Sequence, residues 1–113
     1  MELGKPLDGY EAVVAWAESL RRQWGGDPLV EDPDKLETLA AFCESVGKDP
    51  DELVAFCFLR RKESGERFTS QKRRAEVVSK LDDFAAASGL TGTAARRLKS
   101  NVVSFLTHNG VLM

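Results

Sequence analysis

The sequence predicts an all-α, single compact domain of about five helices, and three observations carry that prediction. Apolar residues recur at the three-to-four-residue spacing of one helix face in each long segment. Capping residues and glycine stops alternate along the chain. No segment alternates apolar and polar residues with period two, and β-branched residues do not cluster between turn signals. A chain of 113 residues suits one modest core.

The elements follow in order. Asp8 and Glu11 stand at capping-box spacing, in which each side chain satisfies a free backbone N–H at a helix start. They predict a first helix over 9–24, with Val13, Ala17, Leu20 and Trp24 on one stripe and Gly25-Gly26 as the stop. Asp32-Pro33 opens a second, because proline's missing N–H costs nothing in a first turn. Its face is Leu36, Leu39, Ala40, Cys43 and Val46, and Gly47 closes it. Asp49-Pro50-Asp51-Glu52 opens a third, whose face of Leu53, Phe56, Cys57 and Leu59 continues until charge takes over at Arg60. A polar connector follows, RRKESGERFTS, with Gly65 in it and Phe68 as its aromatic. Thr69 or Ser70 caps a fourth helix over 70–88, with Val77, Val78, Leu81, Phe84 and Ala85 inward. Thr91 or Thr93 caps a fifth over 92–108, with Ala95, Leu98, Val102, Phe105 and Leu106 inward and Asn109-Gly110 as the end. Trp16 and Trp24 are read as docking the first helix on the rest, with a surface aromatic pair for a partner as the alternative.

Several function classes are disfavoured. No apolar run approaches the roughly 20 residues that span a bilayer, so no membrane is expected as a partner. The start, MELGKPLDGYE, lacks a basic segment and an apolar one, which predicts a cytoplasmic protein without a secretory signal. Cys43 and Cys57 each sit in Ala-Phe-Cys within an apolar face, where a thiol acts as a small hydrophobe. With one histidine, His108, and no Cys-x-x-Cys pair, zinc spacing is missing and no metal or cofactor is expected. There is no Gly-x-Ser-x-Gly elbow and no phosphate-cradling glycine loop, and the carboxylates cluster in caps. No catalytic residues are assigned, and the chain is expected not to be an enzyme.

Charge points elsewhere. Residues 1–58 hold five Lys/Arg against thirteen Asp/Glu, a net of −8, whereas 59–113 hold eleven against five, a net of +6. That asymmetry suggests a one-sided electrostatic footprint, unless folding interleaves the two halves. The cations are Arg60, Arg61 and Lys62, Arg67 in the connector, Lys72, Arg73 and Arg74 opening the fourth helix, Lys80, and Arg96, Arg97 and Lys99 in the fifth. Cations in a first turn oppose the helix dipole. A phosphate there would turn the cost into a gain by meeting free N–H groups, the Ser70 or Thr69 hydroxyl and the basic side chains together.

From about Asp32 to Val111 the chain resembles the N-terminal SAM-like core-binding domain of tyrosine recombinases of the phage-integrase type. The resemblance rests on KLETLAAFCESVGKDPDELVAF, on RRKESGERFTSQKRRAEVVSKLDDFAAASGLTG and on AARRLKSNVVSFLTHNGV. It implies a SAM-like orthogonal helical bundle over 31–113, preceded by an N-terminal helix and linker over 1–30. It further implies a role in DNA recombination and integration, clasping one side of a duplex while a catalytic domain clasps the other. The contact candidates are Arg60, Arg61, Arg67, Ser70, Lys72, Arg73, Arg74, Thr93, Arg96, Arg97 and Lys99. Asn101, Gln71 and Thr93 could also read base edges. The family's arginine–histidine–arginine set and nucleophilic tyrosine are absent from these residues, so cleavage would fall to a partner catalytic domain. The leading expectation is therefore a non-catalytic module for double-stranded DNA, with that catalytic domain or a second copy as further partners. The alternative is a helical protein-interaction module that uses the Trp-bearing first helix and the acidic half.

Overall fold

In the computed structural model, which describes residues 4–113, a 3-10 turn at Leu7–Gly9 leads into six α-helices and one short hairpin. The order is α1 (Glu11–Trp24), α2 (Pro28–Glu31), α3 (Asp34–Val46), α4 (Pro50–Phe56), β1 (Phe58–Arg60), β2 (Arg67–Thr69), α5 (Gln71–Ala87) and α6 (Gly92–His108). The chain is mostly α, as its periodicity predicts. The two longest helices match the expected fourth and fifth spans to within a residue.

The apolar faces meet in one core. Trp16 and Leu20 of α1, Leu39, Phe42 and Cys43 of α3, Leu53 of α4, Val77 and Leu81 of α5, and Val102, Phe105 and Leu106 of α6 are all buried. Trp16 lies edge-on to Phe105, with ring centroids 5.4 Å apart, and its Nε1–H donates to Ser104 Oγ at 3.1 Å. The indole thus buries its apolar body with its single donor satisfied. Truncating an aromatic so placed costs about 3–5 kcal/mol. Ser19 Oγ and His108 Nδ1, 2.5 Å apart, add a polar tie between the same two helices. Residues 11–24 therefore share the common core.

Helix starts divide into those that follow local spacing and those that do not. At α4 the capping box forms: Glu52 N–H donates to Asp49 Oδ1 at 2.7 Å, and Asp49 N–H donates to Glu52 Oε1 at 3.1 Å. At α1 it does not. Asp8 lies in the 3-10 turn, and Asp51 of α4 caps α1 across the fold, its Oδ1 accepting from Ala12 N–H at 2.8 Å. Asp32 gives α3 no cap either; its carboxylate turns to cations instead. Gly47 ends α3 in the left-handed conformation, φ 71°, that its lack of a β-carbon permits.

The polar connector is the main departure from expectation. Instead of a loop after a long third helix, α4 stops at Phe56 and the chain turns into a hairpin. Phe58 pairs with Thr69, Leu59 with Phe68 and Arg60 with Arg67. Strands of three residues are too short for a period-two pattern to register in the sequence. Bonds from Ser70 N–H to Cys57 O and from Arg61 N–H to Glu66 O, each 2.9 Å, extend the ladder at both ends. Gly65, with φ 71°, makes the turn.

Candidate nucleic-acid interface

The eleven expected contact residues fall into three groups with different fates. The first lies on the hairpin. Arg60, Arg61 and Arg67 are exposed, as is Lys62 in its loop. Successive strand residues point to opposite faces, so Phe58, Arg60, Arg67 and Thr69 share one face, and Leu59, Arg61 and Phe68 the other. The Arg67 guanidinium stacks 3.6 Å from the Phe58 ring centroid, and that of Arg61 lies 5.1 Å from Phe68. Arg60 donates from one terminal nitrogen to Gly65 O at 3.0 Å. Of these cations only Arg61 meets a carboxylate among the described residues, Glu66 at a loose 3.9 Å.

The second group opens α5, and the fold has already used most of it. Ser70 is buried, and its Oγ caps the helix by accepting from Arg73 N–H at 3.2 Å. Thr69 Oγ1 accepts from Leu112 N–H at 3.3 Å, so the closing segment crosses the helix start. Arg73 donates to Phe56 O at 3.2 Å and covers the Phe56 ring, while Arg74 donates to Met113 O at 2.9 Å. The expected phosphate seat on Ser70 or Thr69 is therefore filled by the chain itself. The positive charge of Arg73 pulls down on the Cys57 thiol, yet burial outweighs it and pushes that thiol up. Only Lys72 of this group projects freely.

The third group opens α6. Because α6 begins just after α5 ends, its start lies about 25 Å, the length of a 17-residue helix, from the start of α5. The two basic helix starts are thus not one surface. Arg97 pairs with Asp32 at 3.3 Å, and Lys99 with Asp82 at 3.4 Å. Burial alone would raise Asp32, but the hydrogen bond from Arg97 and the charges of Lys35 and Arg97 hold its carboxyl below the usual carboxylate range. Here the acidic and basic halves do interleave. Thr93 and Arg96 remain exposed and unengaged.

The residues offered for base reading or partner docking also separate. Gln71 is exposed, but Asn101 is buried beside Thr38 and Lys35. Trp16 belongs to the core, whereas Trp24 is 74% exposed. A helix running through Leu59 would leave Arg67 without the Phe58 ring. Cross-strand pairing alone brings Phe58 beneath Arg67.

Among the described residues no three or more His, Cys, Asp or Glu side chains gather as a metal site would need, and no helix is long and apolar enough to cross a membrane. No protein-family model, no curated protein and no solved structure matches this chain.

Proposed function

We propose that this chain is a double-stranded DNA-binding module that grips the phosphate backbone with its hairpin and the adjoining Lys72. The observation that carries the reading is the cluster Arg60, Arg61, Lys62, Arg67 and Lys72, exposed together, with one loose carboxylate contact among them. A two-stranded ribbon fits the roughly 12 Å major groove of B-DNA. Arginines splinted on aromatic rings lose less side-chain freedom when they bind phosphate. The resemblance to recombinase core-binding domains implies the same partner, with the contact surface taken here as the hairpin because the basic helix starts are largely engaged within the fold. On that reading the chain takes part in recombination or integration beside a catalytic domain, in the cytoplasm.

A labelled generic duplex titrated at several salt concentrations, read by fluorescence anisotropy, tests it. Five phosphate contacts give a slope of log affinity on log salt of about −4.5. Changing Arg60, Arg61, Lys62 and Arg67 to glutamine should flatten that slope to near −1, while changing Arg96 and Arg97 should leave it steep. Absence of binding at low salt overturns the reading. The competing interaction-module reading draws support from Trp24 and Val30, 74% and 73% exposed at the α1–α2 corner. It gains if duplex binding fails and a Trp24→Ala variant loses a protein partner.

A further inference from the structure

The hairpin carries a feature that general phosphate affinity does not require. Arg60 and Arg67 stand directly opposite each other on one face of an antiparallel pair. The ladder bonds at Cys57–Ser70 and Arg61–Glu66 fix which pairs exchange hydrogen bonds. Counting alternately along β1, Leu59–Phe68 is a hydrogen-bonded pair and Arg60–Arg67 is not. Non-hydrogen-bonded pairs bring side chains closer, with β-carbons about 4.5–5.5 Å apart or a little less. Like charges so placed destabilise a hairpin. Neither guanidinium has a carboxylate partner among the described residues. Each is nevertheless held: Arg67 over the Phe58 ring and Arg60 by its bond to Gly65 O. A contact to a ring face uses no N–H donor of Arg67, and Arg60 keeps its remaining donors.

Both arginines also line one open groove of about 540 Å³ between the hairpin, α1 and α4. Val54, Ala55, Phe58, Glu11 and Asp51 also line it. Asp51 is committed to Ala12 N–H. Within this lining the two arginines are the groups that attract an anion.

We propose that Arg60 and Arg67 form a two-guanidinium clamp for one phosphate group of the DNA backbone. The clamp rests on the DNA reading above and gives it a fixed point of register: one phosphate bound by two planar forks, with Arg61, Lys62 and Lys72 contributing charge alone.

The test separates fork from charge. Arg60→Lys/Arg67→Lys keeps the charge but removes the planar donors, and Arg61→Lys serves as the control. The expected result is about a tenfold loss of duplex affinity for the double variant at fixed salt, with the slope on salt unchanged and the control within about twofold. A double variant that binds like wild type overturns the clamp and leaves the DNA reading standing. No duplex binding by wild type at low salt overturns both. A second measurement follows the Arg Nε–Hε resonances of the wild-type protein as dimethyl phosphate is added. Arg60 and Arg67 should shift together along one saturation curve. Independent or absent shifts overturn the clamp.

Discussion

Three arginine pairs that look alike in the sequence do three different things. Arg73-Arg74, on the first turn of α5, is folded inward onto the carbonyls of Phe56 and Met113. Arg96-Arg97, on the first turns of α6, is split: Arg97 neutralises Asp32 while Arg96 stays in solvent. Arg60-Arg61, at the end of β1, is also split, but by the strand's own period, which sends one side chain to each face of the hairpin. The lesson is that a basic run does not report free charge. What decides is the element that carries the run and what packs across from it. A short hairpin leaves both of these arginines exposed, with only contacts inside the hairpin itself, whereas a helix start wrapped by a terminal segment leaves almost none.

The sharpest way to break this contrast is stability rather than binding. Arg73→Ala and Arg74→Ala should each cost about 1–3 kcal/mol, since each removes a charged donor from a half-buried carbonyl. Arg60→Ala and Arg61→Ala should stay within about 0.5 kcal/mol, as exposed changes usually do. Urea midpoints for the four variants decide it. Equal costs across the two pairs would mean that the α5 pair is no more structural than the hairpin pair.

How much of this was legible depended on how local each interaction is. The α4 capping box, the Ser70 cap and the stop at Gly47 involve residues within four positions of one another, and spacing alone revealed them. The cap on α1 is not Asp8, as spacing predicts, because the carboxylate that serves Ala12 comes from Asp51, 39 residues away. The stripe predicted through Trp24 is buried only as far as Leu20, and the indole beyond it stays exposed. The hairpin went unseen because Phe58 and Leu59 continue the apolar rhythm of α4. Nothing in that rhythm marks Cys57 as the point where the helix stops. For the candidate site, the cation positions were readable but their availability was not, since each pairing crosses between elements.

A pH profile sharpens the inward half of the comparison. Burial pushes the Cys43 thiol up to about 12 from an ordinary 9.0, and burial raises Cys57 as well despite the opposing pull of Arg73. Above about pH 9 the unfolded chain releases these protons while the folded chain keeps them. Stability fully present below pH 9 should therefore fall as pH rises, for Cys43 by up to about 1.4 kcal/mol per unit toward 12, with Cys57 contributing in the same direction. Urea unfolding from pH 8 to pH 11 should show a shallower decline for Cys43→Ala than for wild type. In Arg73→Ala the Cys57 thiol should titrate higher still. An unchanged Cys57 titration would mean that Arg73 does not lie against the core as described.

The smallest expected effect probes the split pair on α6. Asp32→Asn should cost only about 0.2–1 kcal/mol, because the side chains it pairs with are partly solvated. Its carboxyl is held below the usual range, so that contribution is present above the unfolded value of 3.8 and is lost as pH falls through the lower folded one. The same substitution also frees Arg97. If the hairpin alone meets DNA, duplex affinity should change by less than about twofold, and no more than in Asp34→Asn, which removes an exposed charge nearby without releasing an arginine. A distinctly larger gain in Asp32→Asn, with a slope on salt steeper by about one, would mean that Arg97 had found a phosphate. The interface would then reach both ends of α5, a span of about 25 Å along the duplex, and the hairpin would be one of two anchors.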